Sequence, residues 1–221
     1  GRTFRHRPAD YIKYQQEYLL PFTYDINKFA IETMQEISEG KPTLKLAFAS
    51  RIKGLANTMK NYYGKIQGLK KIDLVSQKYQ EEKALQKFID ANPELKAKYG
   101  TLLQEIRFVY DNINLNAQAD LWLRQIQNYS PTMAMANFIL TYSEEMQKPE
   151  AERSANFQEK NLKRTLDGRM GQLATYNAQF EEAMLTKLFT EANLFKKSSR
   201  IAAIDYLLEA NGNNAEEALA D

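Results

Sequence analysis

The stretch TLKLAFASRIKGLANTMKNYYGKIQGLKK, residues 43–71, decides the fold. Read as one helix it carries two stripes. Ile52, Leu55, Met59, Tyr62, Ile66 and Leu69 recur at spacings of three and four, an apolar seam along one side. On the opposite side Ala47, Ser50, Gly54, Asn57, Asn61, Gly64 and Gly68 keep the same rhythm. A glycine inside a helix costs about 1 kcal/mol relative to alanine, so three on one line imply a demand other than helix stability. Small residues let another group approach the backbone closely, and Asn57 and Asn61, one turn apart, place two amides on that same side. The helix is expected to bury one face in its own domain and present the other. A second reading of the small stripe is tight helix–helix packing, with the two asparagines bonding across to a neighbouring helix.

Outward from this stretch the rest of the chain is also helical. Six prolines and nine glycines punctuate 221 residues, and no segment alternates with a period of two. A first helix is expected from Ala9 to Leu20, stopped by Pro21. A second runs from Asp25 to Ser38 with Ile26, Phe29, Ala30, Met34 and Ile37 on one face. Gly40-Lys41-Pro42 breaks it, and Thr43 is the expected N-cap of the long helix. Beyond a short interruption at Lys70–Asp73 a charged helix reaches Ala91. Asn92-Pro93 and Ser130-Pro131 are restart signatures, a capping side chain followed by proline in the first turn. Between them the chain either kinks at Asn112–Asn116 or runs on to Tyr129. Trp122 reads as core, as does the stripe of Met133, Met135, Phe138, Ile139, Tyr142 and Met146. Pro149 opens the next helix, and Gly168 and Gly171 bracket a bend. Leu173, Tyr176, Phe180, Met184, Leu188 and Phe189 form another seam. Ser198 or Ser199 caps a helix that Gly212 stops, and residues 213–221 begin a further one. The fold class is all-α, a bundle of long antiparallel helices.

Composition narrows the chemistry. There are no cysteines and one histidine, His6, which excludes disulfides, thiolate ligands and paired-histidine metal sites; neither a metal nor a cofactor is expected. Lys+Arg 30 against Asp+Glu 28, with the signs interspersed, argues against nucleic acid as a partner. No apolar run approaches the roughly 20 residues of a membrane span. P-loops, Rossmann glycines, nucleophile elbows and zinc-protease motifs are missing. Neighbouring acids such as Glu81–Glu82 or Glu181–Glu182 do not face each other on a helix. No catalytic residue is expected in this chain.

The opening Gly1-Arg2-Thr3-Phe4-Arg5-His6-Arg7-Pro8-Ala9-Asp10 and the stretch Ala49 to Tyr62, with Gly54-Leu55-Ala56-Asn57-Thr58-Met59-Lys60-Asn61 at its centre, resemble the bacterial dipeptidyl-peptidase 7 and 11 family. These are serine exopeptidases with a chymotrypsin-like double β-barrel and an inserted helical domain. The resemblance implies that residues 1–8 end a preceding barrel segment, Arg2 and Arg5 lying at its edge. Residues 9–221 would be the helical cap, incomplete at its C-terminal end, taken from a larger α+β enzyme. The catalytic His, Asp and Ser would all lie outside this chain, which would be inactive alone. The resemblance further implies that Asn57, by its place in the motif, helps to hold the substrate's free α-amino group. Asn61 would be its neighbour, and Gly54, Gly64 and Gly68 the line of close approach. Expected partners are an oligopeptide substrate and a β-barrel catalytic domain in cis, in the periplasm or at the cell surface; a homodimeric parent is compatible. The rival reading is a free-standing helical interaction module with no catalytic role.

Overall fold

The computed structural model describes residues 7–195 and 200–220, and among these every regular element is a helix. The segment expected to end a barrel (residues 1–8) lies almost wholly outside the described residues, as do Ser198 and Ser199. The chain divides into two compact units, Gly1–Leu121 and Trp122–Asp221.

In the first unit α1 (Ala9–Tyr14) passes through a π segment (Gln15–Leu19) into α2 (Leu20–Ile37). Pro21 therefore does not stop a helix, and the two helices expected around it are one helical run. Proline lacks an N–H and crowds the preceding turn; the π segment absorbs both faults by shifting the hydrogen-bond register just before Pro21, which then sits in the first turn of α2. Ile26, Ala30 and Met34 are fully buried on the expected face.

Gly40, at φ +69°, turns the chain, and α3 (Pro42–Lys71) returns along α2. The pairing is antiparallel: Tyr24 meets Tyr63 with ring centroids 6.2 Å apart, while Gln35 and Ile52 line one cavity near the turn. Thr43 is not the N-cap. Pro42, with its φ fixed for helix, starts α3 one residue earlier, and Lys41 holds the cap position without a side-chain bond. Asp73 caps α4 (Leu74–Asp90), its carboxylate accepting from the Ser76 N–H at 3.2 Å. Asn92 caps α5 (Pro93–Tyr99), accepting from the Glu94 and Leu95 N–H groups at 2.9 and 3.1 Å. The break that follows falls at Gly100–Thr101, where a Cβ on Gly100 would lie 2.5 Å from the Lys96 carbonyl oxygen. From there α6 (Leu102–Tyr129) runs unbroken through the asparagines. Asn112 folds its amide back onto the Phe108 carbonyl at 2.9 Å, so it need not compete with the helix.

In the second unit Trp122 is fully buried, donates its indole N–H to the Leu188 carbonyl and packs 5.8 Å from Phe189. Ser130 caps α7 (Pro131–Met146), accepting from the Met133 N–H at 3.1 Å. After two short 3-10 turns (Glu150–Glu152 and Ala155–Phe157), α8 (Glu159–Leu173) passes straight through Gly168 and Gly171. No break in the helix occurs at these glycines, and a Cβ at either would meet open space. Then come α9 (Ala178–Asn193), whose Phe180, Met184 and Leu188 are buried, and α10 (Ala202–Ala210). Gly212 (φ +62°) and Asn213 (φ 61°) end α10 in left-handed geometry. The Asn213 N–H reaches the Leu208 carbonyl at 2.7 Å, as in a Schellman close. A short α11 (Glu217–Ala220) follows.

The methionine–aromatic stripe of α7 is core only in part. Phe138 is buried and stacks 5.7 Å from Phe157, but Met133 and Ile139 are exposed. A 240 Å³ apolar hollow opens between α7 and α8, floored by Met135, Phe138 and Leu166.

Candidate functional site

All six seam residues of α3, from Ile52 to Leu69, are half-buried. Along the opposite line Ala47, Ser50, Gly54, Asn57, Asn61 and Gly64 are exposed and Gly68 half-exposed. A Cβ built at Gly54, Gly64 or Gly68 would meet nothing within 4 Å. The packing explanation for these glycines therefore fails within the described residues: no neighbouring helix occupies the space they leave. Neither Asn57 nor Asn61 makes a side-chain hydrogen bond among the described residues, so both amides face outward with their donors and acceptors unused. Asn57, Asn61 and the three glycines thus share one open face.

Charge adds a feature that the apolar periodicity did not expose. Helix α3 carries Lys45, Arg51, Lys53, Lys60, Lys65, Lys70 and Lys71 and no aspartate or glutamate. Its hairpin partner α2 holds Asp25, Glu32 and Glu36, yet the ion pair on α2 is internal, Lys28–Glu32 at 3.8 Å. At the closed end of the hairpin Lys41, Lys45 and Lys53 share a cavity of about 1060 Å³ with Glu36 and Glu39.

A second polar constellation anchors the start of the described chain. The Tyr79 hydroxyl donates to Asp10 Oδ1 at 2.5 Å, and the Ala9 N–H donates to Glu82 Oε1 at 2.7 Å. Arg107 on α6 stands 3.9 Å from Asp10 Oδ2, with its guanidinium 5.4 Å from the centre of the Tyr79 ring. Asp10 and Glu82 are both buried. Burial, and then the Asp10 carboxylate, push the Tyr79 phenol up to about 12. The cluster clamps α1 onto α4. These residues lie 69 and 73 positions apart along the chain, so no local pattern could have paired them.

Among the described residues no three His, Cys, Asp or Glu side chains gather where they could hold a metal ion. No described helix is long and apolar enough to cross a membrane.

An open, amide-bearing helix of this kind can bind and orient a ligand. Comparison with known proteins gives this arrangement a family. The sequence pattern of the Peptidase S46 family matches residues 1–221, and the chain belongs to that family. It is 24% identical over 162 residues to an Asp/Glu-specific dipeptidyl-peptidase of Shewanella putrefaciens (strain CN-32 / ATCC BAA-453), covering 73% of this chain and 22% of that protein. It is 28% identical over 137 residues to dipeptidyl-peptidase 7 of Capnocytophaga gingivalis, covering 62% and 19%. The chain thus spans about a fifth of the length of these relatives.

Proposed function

We propose that this chain is the substrate-capping helical part of a serine-type dipeptidyl aminopeptidase, with the open face of α3 turned toward the amino end of a bound peptide. Two relatives named as dipeptidyl-peptidases support the activity. The observation that carries the role of α3 is the outward-facing, unpartnered Asn57 amide on a ridge without side chains at Gly54, Gly64 and Gly68.

In this reading Asn57 Oδ1 accepts a hydrogen bond from the substrate's α-ammonium, for which an amide oxygen is a suitable acceptor. Asn61, one turn on, supports that end, and the bare glycines let the extended peptide backbone lie against the helix. Fixing the amino terminus at a set distance from a nucleophile makes removal of two residues a matter of geometry. The serine, its base and the oxyanion donors would come from a β-barrel domain of the same protein, and acyl transfer followed by hydrolysis would release the dipeptide. Closure of the helical part over the cleft would exclude water while the bond is cut. The periplasm or the cell surface is the proposed setting.

The test is Asn57→Ala in the full-length protein, assayed with chromogenic dipeptidyl substrates. Losing a hydrogen bond to a charged group removes about 1.5–3 kcal/mol, a fall in kcat/KM of about 10- to 100-fold. The thermal midpoint should stay put, because Asn57 is exposed. An unchanged kcat/KM would take Asn57 out of the site. Turnover of dipeptidyl substrates by the isolated chain would refute the assignment of the catalytic groups.

A further inference from the structure

We propose that the open face of α3 is an electrostatic docking track for the acidic part of a peptide beyond its first two residues. Peptides bearing carboxylates there would be preferred over neutral ones with the same amino-terminal dipeptide. The inference rests on the reading above, in which Asn57 receives the peptide's amino end.

The argument is one of charge segregation. The chain as a whole is nearly balanced, with Lys+Arg 30 against Asp+Glu 28. At that composition a 30-residue stretch holds about four carboxylates, and α3, 30 residues long, holds none. Lys45, Lys53, Lys60, Lys70 and Lys71 find no carboxylate partner among the described residues, so their charge is not consumed inside the first unit. A helix built for its own stability would intersperse acids at i and i+4; this one does the reverse.

The cations are also placed along the ridge. Lys53, Asn57, Lys60, Gly64 and Lys71 succeed one another at steps of four, three, four and seven residues, so they share one edge of the helix. Lys53 and Lys60, both exposed, stand about one turn on either side of Asn57. At 1.5 Å per residue Lys71 lies about 21 Å farther along. An extended peptide rises about 3.3 Å per residue. With its ammonium at Asn57, its third to sixth residues therefore fall along the stretch between Lys60 and Lys71. The carboxylates that face this field from other elements lie mainly at the closed end of the hairpin, where Glu36 and Glu39 sit beside Lys41, Lys45 and Lys53. Asp25 is next to the Tyr24–Tyr63 contact, and Asp73 is engaged with the Ser76 N–H. Lys60 thus lies away from the turn and from Glu36 and Glu39. Lys70 and Lys71 also have a local use, at the negative end of the helix dipole. The decisive residue is for that reason Lys60.

The experiment uses the full-length protein and two peptides identical in their first two residues, one continuing with three glutamates and the other with three glutamines. The readout is the ratio of kcat/KM for the acidic peptide to that for the neutral one, at low and at physiological salt. Wild type is expected to favour the acidic peptide about fivefold at low salt, with the preference shrinking as salt screens it. In Lys60→Glu the ratio should fall to about one or below. A ratio unchanged by this reversal overturns the track. So does a lowered thermal midpoint with the ratio unchanged, which would mean that another part of the protein covers this face. Wild type that cleaves neither peptide refutes the peptidase reading itself; cleavage of both without a charge preference refutes the track alone.

Discussion

Replacing Tyr79 with phenylalanine removes one hydroxyl from the first unit and leaves every carbon in place. That hydroxyl donates to Asp10 Oδ1 at 2.5 Å, and Asp10 is 5% exposed. The other carboxylate oxygen faces Arg107 at 3.9 Å, too far for a hydrogen bond. A hydrogen bond to a charged acceptor contributes about 1.5–3 kcal/mol, and a buried acceptor left without its donor adds cost. The ring keeps its packing, including the guanidinium 5.4 Å from its centre. The expected loss for Tyr79→Phe is therefore about 2 kcal/mol, or about 6–10 °C in the midpoint of a unit this size. Urea unfolding followed by far-UV circular dichroism reads it directly. The pH dependence is a second check. The phenol's proton is held more tightly in the folded protein, at about 12 against an ordinary value of 10.0, because of burial and then Asp10. Its stabilisation is thus complete below pH 10 and is lost as pH rises through 12. The difference between wild type and Tyr79→Phe should shrink over that window, other tyrosines and lysines cancelling in the comparison. If the variant stays within about 0.5 kcal/mol of wild type, or if the difference is flat above pH 10, Tyr79 does not clamp Asp10. A double variant with Asp10→Asn separates the two losses, since strictly additive effects would show that the pair is not coupled.

Gly64→Ala should stabilise α3 by about 0.5–1 kcal/mol, since alanine is the better helix former and its Cβ meets nothing within 4 Å. The same methyl should lower kcat/KM in the full-length protein if a peptide lies against the ridge; destabilisation by Gly64→Ala would instead reveal a neighbour packed there. Trp122→Phe shrinks a fully buried indole to a phenyl ring and removes its hydrogen bond to the Leu188 carbonyl. A cost of about 2–4 kcal/mol is expected in urea unfolding, and less than about 1 kcal/mol would show that the second unit does not depend on this contact.

The parts of the fold that were legible in the sequence are those written in local chemistry. Ile26, Ala30 and Met34 repeat at helical spacing and are buried. Asn92-Pro93 and Ser130-Pro131 announce caps, and both asparagine and serine make the bonds that role requires. The two faces of α3 were readable for the same reason: a helix 30 residues long has only one way to sort its apolar side from its bare one. Misreadings arose where a local signal has two outcomes. Proline both breaks and begins helices, so Pro21 sits in a continuous run and Pro42 starts α3 ahead of Thr43. Glycine lowers helix propensity without forbidding helix, and α8 crosses Gly168 and Gly171 unbroken. The clamp of Asp10 by Tyr79, with Ala9 held by Glu82, was out of reach because its members meet only once α1 and α4 have packed. The cationic bias of α3 was visible residue by residue, but whole-chain balance masked it.

These two properties of α3 pull against its stability. Its three glycines cost together about 3 kcal/mol relative to alanine, and seven like charges on one helix lack the compensating i,i+4 partners that would offset their repulsion. Neither feature is returned as packing within the first unit, since the glycine faces are empty and six of the seven cations find no carboxylate among the described residues. The helix holds because the half-buried seam from Ile52 to Leu69 pairs with α2, whose Ile26, Ala30 and Met34 are fully buried. A helix stabilised on one side and penalised on the other is specified by what meets its penalised side. Bare backbone, free amides and uncompensated positive charge together describe a complement that is narrow, rich in hydrogen-bonding groups and negatively charged along its length. The extended acidic peptide proposed above, its amino end at Asn57, would have all three properties.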